Sequence, residues 1–182
     1  MHAVALVFLA GWAAFWLLWL VAAFSMKRER LPWSRELRIR TVMVIIVIVL
    51  VHVGAFRHYH LNSQPWRGGV GLVLFFAGLS FAIWARFNIG RNWGTPMSQK
   101  DDPELVTSGP YRFVRHPIYS GILVAGLGTA VALSWTWLII FGLAGAYFIY
   151  AAVIEERYLT AQFPNAYPTY KRSTKMLVPF IL

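Results

Sequence analysis

Five apolar runs, residues 3–24, 41–56, 69–85, 118–134 and 137–154, constrain this 182-residue chain more than any other feature of it. An upright helix needs ~20 apolar residues to cross a bilayer core, and lipid offers no partner to an open backbone. Each run therefore reads as an α-helix that satisfies its own hydrogen bonds, with the second and fourth short by that measure. Only 13% of the residues are charged, against about 25% in a typical soluble domain, which sets an ordinary soluble fold aside. The expectation is an all-α integral membrane protein with five transmembrane helices in one domain over 1–182. Three helices fall in 1–85, and the functional portion with the last two in 86–182.

The cations set the expected orientation. Six lysines and arginines lie between residues 25 and 40, five between 86 and 117, and four beyond Ile154, leaving only Arg57 and Arg67 elsewhere. Basic residues are retained in short cytoplasmic loops. Five crossings would thus leave the N-terminus outside and the C-terminus cytoplasmic, with the segments of 86–182 outside its two helices forming a cofactor-binding cap on the cytoplasmic face of a multi-pass membrane protein, in the inner membrane if the source is prokaryotic. Topology and anionic headgroups account for the formal charge of +10, so membrane lipids are expected partners and nucleic acid is not. Cysteine is absent, which removes disulfides, thiolate nucleophiles and thiolate metal sites. The first run lacks a basic leader and a small-residue cleavage pattern, and so reads as a retained helix rather than a signal peptide.

Several polar or aromatic features carry plain structural readings. Trp12, Trp16 and Trp19 recur at helical spacing, as a packing face does. His52 bonds a neighbouring helix or interfacial water. His58 and His60 lack the third ligand that a metal site needs and anchor an interface, so no metal is expected. Small residues at Gly121, Ala125, Gly128 and Ala132, then at Gly142, Gly145 and Ala146, permit close helix approach. The short link "SWTW" folds the last two runs into an antiparallel hairpin. That hairpin brings Arg115, His116 and Tyr119 beside Glu155 and Glu156.

Proline after His116 fits a first helical turn, so His116 stands at an N-cap where free N–H groups and the helix dipole favour an anion. Arg115 adds a fork for carboxylate or phosphate. The two glutamates accept from hydroxyls or an ammonium. The junction therefore suits an anionic or zwitterionic ligand, such as a nucleoside amino acid. The alternative is a set of headgroup anchors and solvated glutamates.

The segments "NIGRNWG", "ELVTSGPYRFVRHPIYSGIL" and "IEERYLTAQFPNAYPTYKRSTKMLVPFI" resemble the isoprenylcysteine carboxyl methyltransferase family, including its prokaryotic members, and more loosely the phospholipid methyltransferases. The resemblance covers roughly residues 84–182. It implies an integral membrane enzyme that uses S-adenosylmethionine and releases S-adenosylhomocysteine. Carried onto matching positions, it nominates Gln99, Glu104, Leu105, Val106, Tyr111, His116, Pro117, Ile118, Tyr119 and Glu155 as cofactor-binding, with Arg115 and Glu156 as the adjoining candidate catalytic pair. Eukaryotic members carry an arginine four residues before the first glutamate, where it is expected to meet the substrate carboxylate; Ala151 stands there in this chain, so either another cation, Arg115 or Arg157, takes that role or the acceptor differs.

Methyl transfer from a sulfonium is an in-line displacement, so the protein's task is alignment and water exclusion. A carboxylate acceptor is already ionised at neutral pH, whereas an amine must first lose a proton. The leading expectation is methylation of an isoprenylcysteine-like carboxylate on a lipophilic or prenylated substrate. The alternatives are phospholipid N-methylation and a non-enzymatic membrane scaffold or small transporter.

Overall fold

The computed structural model describes residues 2–24, 64–94 and 104–178, together with Glu29, Arg30, Arg38, Thr41, Val42, Ile45, Gln99 and Lys100. Helix α1 spans His2–Ala23, α2 Pro65–Ile89, α3 Pro117–Ala132, α4 Trp137–Gln162 and α5 Ala166–Ser173. Short 3-10 turns occupy Gly90–Asn92 and Gly109–Arg112. Strands β1, Glu29–Arg30, and β2, Gln99–Lys100, pair antiparallel, with Glu29 opposite Lys100 and Arg30 opposite Gln99.

This architecture corrects the expectation of five membrane crossings. Among the described residues three helices are long and apolar enough to span a bilayer by length and composition: Ala3–Ala22, Pro65–Asn92 and Trp137–Gln162. The fourth run forms α3, whose 16 residues rise about 24 Å, short of a core about 30 Å thick. The second run, 41–56, lies outside the described residues except at Thr41, Val42 and Ile45, as do His52, His58 and His60. The placing of the N-terminus outside and the C-terminus in the cytoplasm was counted over the same five runs, of which three are long enough to span among the described residues.

The core is built where backbones nearly touch. α2 and α3 pack antiparallel, glycine against glycine. A methyl group on Gly121 would stand 2.6 Å from the Gly78 carbonyl oxygen, and one on Gly128 the same 2.6 Å from that of Gly71. No side chain fits in either place, so the small-residue face of the fourth run meets α2 rather than the last helix. The α3–α4 hairpin does form, turned by a Trp137 N–H that donates to the Ser134 carbonyl. The glycines of α4 matter less: a methyl on Gly142 would meet nothing within 4 Å, and one on Gly145 only Leu123 at 3.5 Å.

α1 runs parallel to α2 and fits by aromatic packing. Phe8 lies 4.5 Å from the Phe75 ring centroid, and the Phe75 ring fills the notch at Gly11. The Trp12 indole donates to Thr129 Oγ1 at 3.2 Å and stacks on Phe141. Trp19 is buried against Phe15 and Trp93, while Trp16 is 53% exposed, so the tryptophan stripe packs in part within the protein and in part outward, where lipid would meet it. At the end of this pair Arg86, buried on α2, donates to the Ala22 carbonyl at 2.7 Å and the Gly90 carbonyl at 2.8 Å. It thereby satisfies carbonyls that the helix ends leave without intrahelical partners.

Gly78→Leu forces the α2 and α3 backbones apart and should lower the thermal unfolding midpoint in detergent, at the cost of overpacking, about 1–3 kcal/mol or more. Gly142→Leu, which meets open space, should leave the midpoint unchanged or raise it. Scanning fluorimetry of the two variants beside the parent checks the contrast.

Candidate active site

The segment 104–116 is hooked over the end of α2 before it enters α3. Asn88, in the last turn of α2, donates from its amide nitrogen to the Ser108 carbonyl at 3.0 Å and to Ser108 Oγ at 3.2 Å. Its side chain occupies the place a Cβ of Gly109 would take, and Gly109 adopts φ +58°. Only glycine meets both demands at no steric cost. Asn92 donates to Glu104 Oε2 at 3.1 Å, tying the start of the segment to the same helix end. The 3-10 turn that follows buries Tyr111, and its carbonyl accepts from the Tyr170 hydroxyl at 2.5 Å.

The chain's C-terminal strap holds the entrance of α3. Arg115 N–H donates to the Lys175 carbonyl at 2.8 Å and His116 N–H to the Met176 carbonyl at 3.0 Å. Val114 and Lys175 form a parallel bridge, and Ser120 Oγ donates to the Leu177 carbonyl at 2.5 Å. His116 is the N-cap residue of α3 with Pro117 at the first helical position, as the His-Pro pair implied. Its backbone N–H is thus fixed from outside the helix.

Two glutamates on the last part of α4 meet this entrance, in different surroundings. Glu156 is enclosed: Arg115 Nε donates to Oε1 at 2.6 Å and Lys171 Nζ lies 2.6 Å from Oε2. The Arg115 guanidinium also donates to the carbonyls of Thr174 and Lys171, which anchors the strap to the same ion pair. Glu155 is half-buried, its side chain 21% exposed. Its Oε1 accepts from the Tyr119 hydroxyl at 2.7 Å and its Oε2 lies 3.4 Å from His116 Nδ1. His116 Nε2 stands 3.6 Å from Glu156 Oε1, beyond hydrogen-bond reach, and is a buried nitrogen with no hydrogen-bond partner. The imidazole stacks on Tyr119, and Tyr119 on Phe148, with centroids 5.5 and 4.4 Å apart.

Burial alone would lower the pKa of His116, but hydrogen bonding and the charges of Glu155 and Glu156 outweigh it and raise the value above the ordinary one. Burial raises the Tyr111 phenol, and pushes Tyr170 up to about 12 against the opposing charge of Arg115. Both phenols are therefore neutral donors at physiological pH.

Of the residues nominated from sequence, Arg115, His116, Pro117, Ile118, Tyr119, Glu155 and Glu156 converge at the meeting of α3 and α4, with Tyr111 alongside. Leu105 and Val106 are half-buried on the hooked segment, Val106 against the core, while Glu104 is exposed beside Asn92. Gln99 has its backbone in β2. Ala151 is fully buried, so no arginine fits its place without displacing neighbours, and Arg157 is exposed. Asn88, Ser120, Tyr170 and Lys171 position the site and were not singled out from sequence. The "NIGRNWG" and "YKRSTKM" stretches hold three of them, but their partners lie 15 to 59 residues away. Among the described residues no three histidine, aspartate or glutamate side chains gather as metal ligands.

A family profile described as "Phospholipid methyltransferase" matches residues 66–166, more than half of the chain. The cobalt-zinc-cadmium resistance protein CzcN of Cupriavidus metallidurans is 34% identical over 146 residues, which cover 78% of this chain and 63% of that protein. Protein-S-isoprenylcysteine O-methyltransferase B of Arabidopsis thaliana is 28% identical over 144 residues, 76% of this chain and 73% of its own. Methanethiol S-methyltransferase of a Pseudomonas species is 28% identical over 128 residues, 64% and 48% of the respective chains. The match thus spans a little under two thirds of the first of these relatives and about half of the last.

Because the folded-state pKa of His116 is raised, the stability it contributes is full below its unfolded value of about 6.5 and is lost as pH climbs through the folded one. The thermal midpoint should fall over that interval in the parent and stay flatter in His116→Gln. Removing Arg115 leaves the buried Glu156 carboxylate with less cationic cover. Arg115→Ala should destabilise by about 3–5 kcal/mol, the range for breaking a buried pair, moderated by Lys171. Denaturant titration of both proteins reads the difference.

Proposed function

The chain belongs to the phospholipid methyltransferase family, and from that premise we propose that it transfers a methyl group from S-adenosylmethionine to a lipophilic acceptor at a membrane surface. The observation that carries the reading is Glu155: a partly exposed carboxylate braced by Tyr119 and His116 where the first turn of α3 meets α4. The donor set suits the cofactor. Glu155 would accept from ribose hydroxyls or the ammonium, while the buried, unpartnered His116 Nε2 and the first-turn N–H groups of α3 suit its acceptor atoms. Tyr111, Leu105, Val106, Pro117 and Ile118 would line the apolar remainder, with Glu104 and Gln99 at its edge. When bound, S-adenosylmethionine supplies an electrophilic methyl on a sulfonium and leaves as S-adenosylhomocysteine.

The protein's own share is alignment and exclusion of water. Glu156 and Arg115 fix the strap and α4 against α3, so the Glu155 carboxylate and the His116 ring hold one geometry. The stacked rings of His116, Tyr119 and Phe148 lead from this polar end into the apolar helices, a direction that suits a greasy acceptor arriving from the bilayer. The reading puts the site on the cytosolic face, where the cofactor is available and where lysine and arginine collect.

For the acceptor, an isoprenylcysteine-like carboxylate needs no base, and its charge suits the cationic side of the junction, where the Lys171 ammonium is half-exposed. A phosphatidylethanolamine-type amine is the second reading. It is favoured by the burial of Ala151 and by the commitment of Arg115 to Glu156, which leave no guanidinium, among the described residues, in the place where a carboxylate would be met.

Calorimetry with S-adenosylhomocysteine should show Glu155→Gln and His116→Ala losing affinity about tenfold or more, the scale of a hydrogen bond to a charged group. Arg157→Ala should bind as the parent does. Unchanged affinity in both site variants would sink the assignment. Methyl-labelled cofactor offered with farnesylcysteine or with phosphatidylethanolamine then separates the acceptors, since a methyl ester is cleaved by base and a methylamine is not.

A further inference from the structure

Outside the ion cluster, the polar end of the bundle presents cations interleaved with apolar side chains. Arg112 is exposed, its guanidinium 4.6 Å over the ring of Phe113, itself 43% exposed. The Val114–Lys175 bridge sets this pair beside the strap, where Lys175 is exposed and Val178 is 44% exposed. Arg172 lies exposed on α5, three residues before Lys175. Among the described residues, the acids of the same region point elsewhere. Glu155 and Glu156 turn inward to Tyr119, His116, Arg115 and Lys171, and Glu104 bonds Asn92.

We propose that Arg112, Arg172 and Lys175, with Phe113 and Val178, form a docking rim for the anionic phosphate headgroups of the membrane that the helices occupy. α5 begins four residues after α4, a helix long enough to span, comes to its end, so the rim sits close to the bilayer surface. Cations within a Debye length of an anionic leaflet are attracted to it, and exposed Phe and Val beside them suit the boundary between headgroup and acyl chain. The rim also shares backbone with the site. Arg112 follows Tyr111, and the Lys175 carbonyl accepts from Arg115, so a headgroup on the rim braces the same strap that holds His116. This inference stands apart from the methyl-transfer reading and uses none of the residues assigned to the cofactor.

The test compares the full chain in nanodiscs of neutral phosphatidylcholine with discs containing anionic phosphatidylglycerol, by hydrogen exchange over residues 166–178. Anionic discs should slow exchange about fivefold or more, the factor expected for one engaged cation, and salt near 0.5 M should erase the difference. The combined variant Arg112→Gln, Arg172→Gln, Lys175→Gln should lose the difference while binding S-adenosylhomocysteine as the parent does. Equal exchange of the parent in both discs overturns the proposal without recourse to any variant. So does a combined variant that keeps the difference, or inorganic phosphate that reproduces the slowing in neutral discs, which would make a free anion the ligand.

Discussion

A carboxylate among apolar helices has to be met by cations brought to it, and Glu156 is the residue around which this end of the molecule is arranged. Its side chain is 3% exposed, and the charges that meet it come from three places: Arg115 before α3, His116 at its cap and Lys171 on α5. Such a pair contributes little net stability against an apolar alternative, because both ions give up water. What it supplies is a unique arrangement. Arg115 answers Glu156 with one nitrogen and the strap carbonyls with another, so α4, the strap and the entrance of α3 hold a single register.

That fixed frame sets the neighbouring glutamate, Glu155, against different partners. Residues 155 and 156 are adjacent on α4 and point about 100° apart on a helix with 3.6 residues per turn. One therefore faces the strap, while the other faces Tyr119 and the opening. Adjacent identical side chains thus fall into different surroundings, the first braced by a neutral phenol and an imidazole, the second saturated by cations. The phenol is a suitable brace because Tyr119 sits on the first turn of α3, in line with His116 below and Phe148 beyond.

Much of this junction was legible in the sequence, because its signals are local. His-Pro marks a helix start, and a short uncharged link between two apolar runs marks a hairpin; together they bring residues 115–119 opposite 155–156. What could not be read is whatever depends on distant backbone. Nothing in "SGPYR" reveals that Asn88 will fill the space beside Gly109, and nothing in "STKML" reveals pairing with Val114. The number of crossings was misread for a related reason. Hydropathy registers α3 as apolar, but a helix whose glycines pack directly on α2 is apolar because it is buried in protein, and 16 residues then suffice.

Ala151 shows how packing limits the chemistry on offer. It lies one turn before Glu155 on α4 and is completely buried, so a longer side chain there would displace its neighbours instead of reaching an open face. The guanidinium nearest in sequence to the site, Arg115, arrives from the far side and is already bound to Glu156 and the strap, while Arg157 is turned to the exterior. On the proposed reading, and among the described residues, the choice of acceptor would rest on the shape of the apolar approach along Tyr119 and Phe148 and on the charge of Lys171 and Glu155, with no arginine fork at position 151. Groups of that kind tolerate different headgroup atoms more readily than a fork does.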